Sequence, residues 1–82
     1  GINKNILVLP NGENVSIEDF KNVLNKFDFI EDFKLELINK DLVLNIKINN
    51  NKNTNIELLK NKVLNDCKRI KNVSSLKVKV DV

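Results

Sequence analysis

The sequence contains no histidine, methionine, tryptophan, tyrosine or alanine, and it has a single cysteine and a single proline. Without histidine there is no imidazole base, no Ser-His or Cys-His pair and no histidine metal ligand. The lone Cys67 excludes an internal disulfide and a zinc knuckle, and it fits a reducing, cytoplasmic location. No apolar run approaches the roughly 20 residues of a membrane span. We therefore expect no metal site, no membrane span and, from the first five residues, no secretory signal peptide.

What is present predicts one small ordered domain spanning residues 1–82. Hydrophobic residues make up 41% of the chain and charged residues 30%, which is typical of a compact fold. Residues 1–41 carry a balance of −3 and residues 42–82 a balance of +6. The basic second half could meet an anionic ligand such as a phosphate or a coenzyme tail, or it could be a solvated lysine-rich surface.

The first half predicts a strand and then an amphipathic helix. The apolar run over residues 6–9 indicates a strand buried on both sides, which ends at Pro10. Ser16 is the expected N-cap, with acidic residues in the first turn. The apolar positions of that helix recur at helical spacing and are assigned to the core: Ile17, Phe20, Val23, Leu24 and Phe27.

The second half predicts a hairpin, a helix and a last strand. Alternating residues from Phe33 to Ile38 and from Leu42 to Asn49 flank a tight turn at Asn39-Lys40-Asp41, which indicates an antiparallel hairpin. Thr54-Asn55-Ile56-Glu57 is a second capping box, which predicts another helix. Its apolar stripe includes Cys67, which we interpret as a core residue. Residues 76–82 alternate again. The fold expected is α+β and βαββαβ-like, a largely antiparallel sheet with two helices on one face.

The residues by themselves indicate no catalytic apparatus. Glu18-Asp19 and Glu31-Asp32 are adjacent in sequence and point to different sides, so we interpret them as a helix cap and a solvated turn. RNA recognition by stacking needs aromatic residues on central strands, whereas all four phenylalanines lie between positions 20 and 33. We therefore expect no nucleic-acid partner.

The segment from Lys4 to Phe20, KNILVLPNGENVSIEDF, resembles the start of the C-terminal domain of adenylate-forming enzymes, especially long-chain acyl-CoA ligases. There the pattern is roughly Lys-Asn-x-Ile-Val-Leu-x-Asn-Gly-Lys-Asn-Val before a helix, and roughly fifteen positions align without a gap. The resemblance implies a mobile lid that rotates about a hinge between adenylation of a carboxylic acid and formation of the CoA thioester.

The resemblance also implies roles for particular residues. Lys4 falls at the hinge, and Asn11, Gly12, Glu13 and Asn14 form the turn that lines the pantetheine tunnel of CoA. ATP, Mg²⁺ and CoA are implied for the complete ligase of fatty acid metabolism, with the N-terminal adenylation domain of the same polypeptide as the partner. The residues alone leave Gly12 open as a simple turn glycine and Lys4 as an exposed lysine.

Several positions depart from the family pattern. Ile2 replaces an arginine, Glu13 a common lysine and Ile17 a frequent proline. The family's catalytic lysine follows the last strand in a Gly-Lys motif, beyond Val82, so we expect no catalytic residue in this chain and no activity for it alone. The alternative expectation is a stand-alone ferredoxin-like module for binding or oligomerisation, which pairs through an exposed strand edge.

Overall fold

The computed structural model describes residues 5–49 and 55–81. Within them the chain forms five strands and two helices, whose bounds are β1 (Ile6–Val8), β2 (Asn14–Ser16), α1 (Ile17–Leu24), β3 (Ile30–Ile38), β4 (Asp41–Ile48), α2 (Ile56–Cys67) and β5 (Lys77–Asp81). The α+β class is confirmed. The expected order of elements is also found, with one additional strand, β2.

The strands form two sheets. Strands β1 and β2 make a small antiparallel hairpin, in which Leu7 lies opposite Val15. The other three strands form a sheet of order β3-β4-β5, in which β3–β4 is antiparallel and β4–β5 is parallel. The first strand therefore pairs with a strand that the sequence pattern did not predict, and it does not join the main sheet.

Both helices pack on one face of the three-stranded sheet, as expected. Strand β4 is central and contributes Leu42, Leu44, Ile46 and Ile48 to a single buried cluster. Helix α1 adds Phe20 and Leu24 to that cluster, while α2 adds Leu59, Val63 and Cys67. On the opposite face of the sheet, Val43 lies between Glu36 of β3 and Lys77 of β5. We call this face the outer face.

Side chains cap both helices at their first residues. The Ser16 hydroxyl accepts a hydrogen bond from the Asp19 backbone N–H at 3.4 Å. The Asn55 side-chain oxygen accepts one from the Leu58 N–H at 3.2 Å. Each cap satisfies a backbone donor that has no partner within its helix. The predicted cap of α1 at Ser16 is confirmed, whereas α2 is capped by Asn55, the second residue of the predicted capping box.

Three expectations need correction. Strand β1 is not buried on both sides, because the Val8 side chain is 60% exposed and Ile6 38% exposed. Helix α1 ends at Leu24, so Phe27 lies after it and packs against Phe29 with ring centroids 5.3 Å apart. Strand β3 begins at Ile30, earlier than the pattern indicated, because an irregular pairing between residues 30 and 32 interrupts its alternation.

Candidate functional site

The turn that carries the family resemblance is the loop of the β1–β2 hairpin. The Gly12 N–H donates to the Leu9 carbonyl at 2.9 Å, and the Leu9 N–H donates to the Glu13 carbonyl at 2.8 Å. Three residues thus close the hairpin, a loop length that requires a left-handed residue at its end. Gly12 meets the requirement with φ of +86°. A Cβ built at Gly12 would have no atom within 4 Å, so the space beside this residue is open.

Asparagine side chains hold both ends of this loop. The Asn11 side-chain oxygen accepts a hydrogen bond from the Glu13 N–H at 2.9 Å, which fixes the loop from within. The Asn14 carbonyl accepts a hydrogen bond from the Asn72 side chain at 2.6 Å. Asn72 lies in the connection between α2 and β5, so this second bond ties the hairpin to the main fold.

The four residues of the predicted turn lie together and are exposed. Asn11 and Gly12 lie in the loop, Glu13 closes it opposite Leu9, and Asn14 is the first residue of β2. The predicted hinge residue, Lys4, lies outside the described residues. The structure therefore describes the turn and provides no geometry for the hinge.

A cavity of about 240 Å³ lies beside this turn, where three connections meet at one end of the molecule. The β1–β2 loop forms one wall, the β3–β4 turn a second and the α2–β5 connection a third. The lining residues are Leu9, Pro10, Asn11, Lys40, Asp41, Leu42, Asn72, Ser74 and Ser75. Its walls thus combine apolar side chains with amide, hydroxyl and ammonium groups, which is the usual composition of a small-molecule site.

Lys40 is the unusual residue of the cavity. It occupies the second position of the two-residue turn between β3 and β4, with φ of 72°, after Asn39 with φ of 51°. A turn with two left-handed residues favours glycine at that second position. A lysine there costs about 1 kcal/mol in backbone conformation. Among the described residues Lys40 forms no ion pair, so the turn presents an unneutralised ammonium group beside the cavity.

The neighbouring charge is already neutralised. Asp41 accepts a hydrogen bond from the Lys77 ammonium at 2.9 Å, and the two form an ion pair across β4 and β5. The acidic member of the cavity wall therefore has its own partner. The remaining wall is favourable to an anionic group.

Sequence reasoning missed four residues of this wall. The sequence predicts a turn at Lys40 and no role for it, and Asn72, Ser74 and Ser75 lie in a connection without a motif. One signal was available for Lys40, because an Asn-Lys pair stands where Asn-Gly is the usual hairpin sequence. No local sequence pattern relates Ser74 and Ser75 to the β1–β2 loop, which lies more than sixty positions earlier in the chain.

The structure also describes the other reactive side chains that the sequence singles out, Cys67 and the two acidic pairs. Cys67 is fully buried, and desolvation, followed by the charge of Asp66, raises the pKa of its thiol from 9.0 to about 11. A thiol with this pKa is protonated at neutral pH and is a poor nucleophile, so the prediction of a core cysteine is confirmed. Glu18 and Asp19 lie in the first turn of α1, as expected, whereas the expectation of a solvated turn at Glu31 and Asp32 is wrong, because both lie in β3.

The part of the chain that the structure describes contains no group of three or more acidic or cysteine residues arranged to hold a metal ion. Within residues 5–49 and 55–81, neither helix is long and apolar enough to cross a membrane.

Comparison of the sequence with known proteins gives no assignment: no family model matches it, and no curated protein matches it significantly.

Proposed function

We propose that the chain is the C-terminal lid domain of an acyl-CoA ligase and that its β1–β2 turn faces CoA. The observation that carries the proposal is the position of the family-like segment. Its Asn11–Asn14 turn forms the tip of an exposed hairpin, and Asn11 lines the cavity. A turn that lines a ligand path must reach beyond the core, and this turn does so.

The open space beside Gly12 supports a role in contact with a ligand. No atom lies within 4 Å of the position that a Cβ would occupy, so packing inside the chain does not explain the glycine. Its positive φ explains it in part, since glycine adopts that conformation without steric cost. The same residue also lets the backbone approach an extended pantetheine arm closely.

The cavity wall has the chemistry that CoA needs. Leu9 and Pro10 offer apolar surface to the methyl groups of the pantetheine arm. The Lys40 ammonium group and the hydroxyls of Ser74 and Ser75 offer charge and hydrogen-bond donors to phosphate oxygens. In this proposal CoA meets these groups, whereas ATP, Mg²⁺ and the acid bind to the N-terminal adenylation domain of the same polypeptide.

A first test of the proposal is the neighbouring coding sequence. We expect an upstream domain of several hundred residues with a Ser/Thr/Gly-rich phosphate-binding loop. In that complete enzyme, Gly12→Val should slow thioester formation and leave acyl-adenylate formation, measured by pyrophosphate exchange, unchanged. An equal loss in both half-reactions would assign Gly12 to folding alone.

A second test uses the 82-residue chain and nuclear magnetic resonance. We expect CoA, at concentrations of about 10 mM or below, to shift the amide signals of Gly12 and Ser75. Lys40→Asn keeps a residue that tolerates the left-handed turn and removes the charge, so it should weaken CoA binding about fivefold. Lys68→Asn, after helix α2, is the matched control and should bind as the parent does. Pantetheine, which lacks phosphates, should not distinguish the variants; shifts confined to other surfaces would contradict the site.

A binding or assembly module is the second candidate function, and one observation favours it. Both outer strands of the β3-β4-β5 sheet pair on one side only among the described residues. Such edges present unpaired backbone groups to other chains. The two functions are compatible, because the edges lie along the sheet and the cavity lies at one end of it.

A further inference from the structure

The two outer strands of the main sheet have edges of opposite charge. Strand β3 lies at one edge and β5 at the other, with β4 between them. A groove follows each edge where a helix packs beside the outer strand. The character of the two grooves decides which edge can accept an added strand and what sequence that strand needs.

The groove at β5 has a basic rim and an apolar floor. Its volume is about 490 Å³, and α2 and β5 line it with Glu57, Lys60, Asn61, Leu64, Lys77, Val78 and Lys79. Leu64 and Val78 provide the apolar floor, and both pack with the core. The rim carries three lysines and one glutamate, and β5 ends with the exposed Asp81. The lysines outnumber the acids, so this edge is favourable to a negatively charged chain.

Lys79 is the cation available to a partner at this edge. Lys77 is paired with Asp41 at 2.9 Å, and Lys60 lies 3.9 Å from Glu57. Lys79 is exposed and, in the described parts of the chain, forms no ion pair. Since Lys77 and Lys79 are two positions apart, they lie on one face of the strand, which is the outer face.

The groove at β3 has the opposite character. It is lined by Asp28, Glu31 and Asp32 against a single lysine, Lys21. The irregular pairing between residues 30 and 32 also interrupts the regular ladder there, which is a common way of blocking an edge. An acidic chain would be repelled at the first end of this edge, near residues 28–32, where the ladder is also irregular.

We propose that the β5 edge binds an extended acidic peptide segment as an additional strand. The backbone of the segment hydrogen-bonds to the edge of β5 that no described strand occupies, which is a common mode of peptide recognition. Side chains of an added strand alternate between the two faces of the sheet. Acidic residues at every second position then lie beside Lys77 and Lys79 on the outer face. The aliphatic residues between them lie over Leu64 and Val78 on the helix face.

The proposal does not rest on the ligase assignment, and its test involves no CoA. The probe is the acetylated, amidated peptide Glu-Val-Glu-Val-Glu-Val-Glu, titrated into the 82-residue chain and followed by amide signals. We expect saturable binding with the largest shifts in β5, and no binding of the matching Lys-Val peptide. Methylation of alternate peptide nitrogens on the bonding side should abolish binding, because it removes the donors of the ladder.

Charge reversal locates the site. Lys79→Glu should weaken binding of the acidic peptide about tenfold or more. Lys34→Glu is the matched control, since it changes the same residue type on the outer face at the opposite edge, and it should change binding less than about twofold. If Lys79→Glu fails to fold, Lys79→Gln tests the same charge and should weaken binding in the same direction.

Three results would overturn the proposal. Binding that is insensitive to Lys79 would place the peptide elsewhere, and undiminished binding of the N-methylated peptide would exclude strand addition. The third result is self-association, in which the acidic β3 edge of a second copy of the chain pairs with the β5 edge. Sedimentation equilibrium of the chain alone should show a monomer; association lost in both Lys79→Glu and Glu31→Lys would assign the edge to self-assembly instead.

Discussion

The small β1–β2 hairpin and the three-stranded β3-β4-β5 sheet are built on different physical principles. Each hairpin strand has three residues and leaves side chains such as Val8 in water, with Val15 as its fully buried anchor. The central strand β4 has eight residues, and five of them are buried. An isolated hairpin is at best marginally stable. Stability therefore resides in the sheet and its helices, and the hairpin presents a loop whose position depends on that support.

Truncation of a core side chain should have the largest effect and separate the two regions most clearly. Leu44→Ala removes a fully buried side chain from the centre of β4 and should lower the free energy of unfolding by about 3 kcal/mol. Val8→Ala, in the hairpin, is the matched truncation of an exposed side chain and should cost less than about 0.5 kcal/mol. Urea denaturation measures both, and similar losses would contradict the proposed division.

Alkaline pH should weaken the main fold through Cys67. Burial raises the pKa of this thiol from 9.0 to about 11, so the folded state binds the proton more tightly than the unfolded state. Its stabilising contribution is complete below pH 9 and is lost as the pH rises to about 11. Cys67→Ala keeps every lysine, and its unfolding free energy should fall less steeply across that interval. Parallel pH profiles of the two proteins would refute the assignment.

A substitution at Gly12 tests the strain of the hairpin loop. Gly12→Ala places a side chain on a residue with φ of +86° and should cost about 1 kcal/mol. Because the space around a Cβ is open, the cost should come from the backbone alone. A chemically synthesised chain with D-alanine at this position is the control, since D-residues favour positive φ. It should unfold at the same urea concentration as the parent or higher.

The bond between Asn72 and Asn14 should affect the hairpin more than the sheet. Asn72→Gly keeps a residue suited to φ of 69° and removes the 2.6 Å side-chain hydrogen bond. The expected loss of global stability is about 0.5–1 kcal/mol. Hydrogen exchange should accelerate at Leu7 and Val15 and remain unchanged in β4. Uniform acceleration in both sheets would show that the hairpin and the sheet unfold as one unit.

The main features of the fold could be predicted because they rest on local patterns. These patterns each involve a few neighbouring positions: the two-residue alternation of β4, the cap at Ser16 and the helical spacing that buries Cys67. The hairpin was missed because β2 has only three residues, of which Val15 alone is buried. Such a strand is too short to show a periodic pattern. Its partner β1 has only apolar residues, which predicts a buried strand.

The candidate site could be predicted only where it coincides with a motif. The segment around Gly12 carries the family resemblance, and the structure places it in an exposed loop. The other cavity walls come from Lys40 and from the Ser74-Ser75 pair, which are separated from Gly12 by one or more complete elements of the fold. No local period or cap relates such positions, because their proximity results from packing of the hairpin against the end of the sheet.

The sequence by itself determined the α+β class, the start of the first helix, the long hairpin and the burial of the single cysteine. These depend on local periodicity and on capping, whose free energies involve residues within about one turn of each other. Only the tertiary structure decided that β1 leaves the main sheet, that three connections enclose a cavity, and that the two sheet edges differ in charge. Those features depend on which distant segments share one hydrophobic core, and that is a property of the whole packed chain.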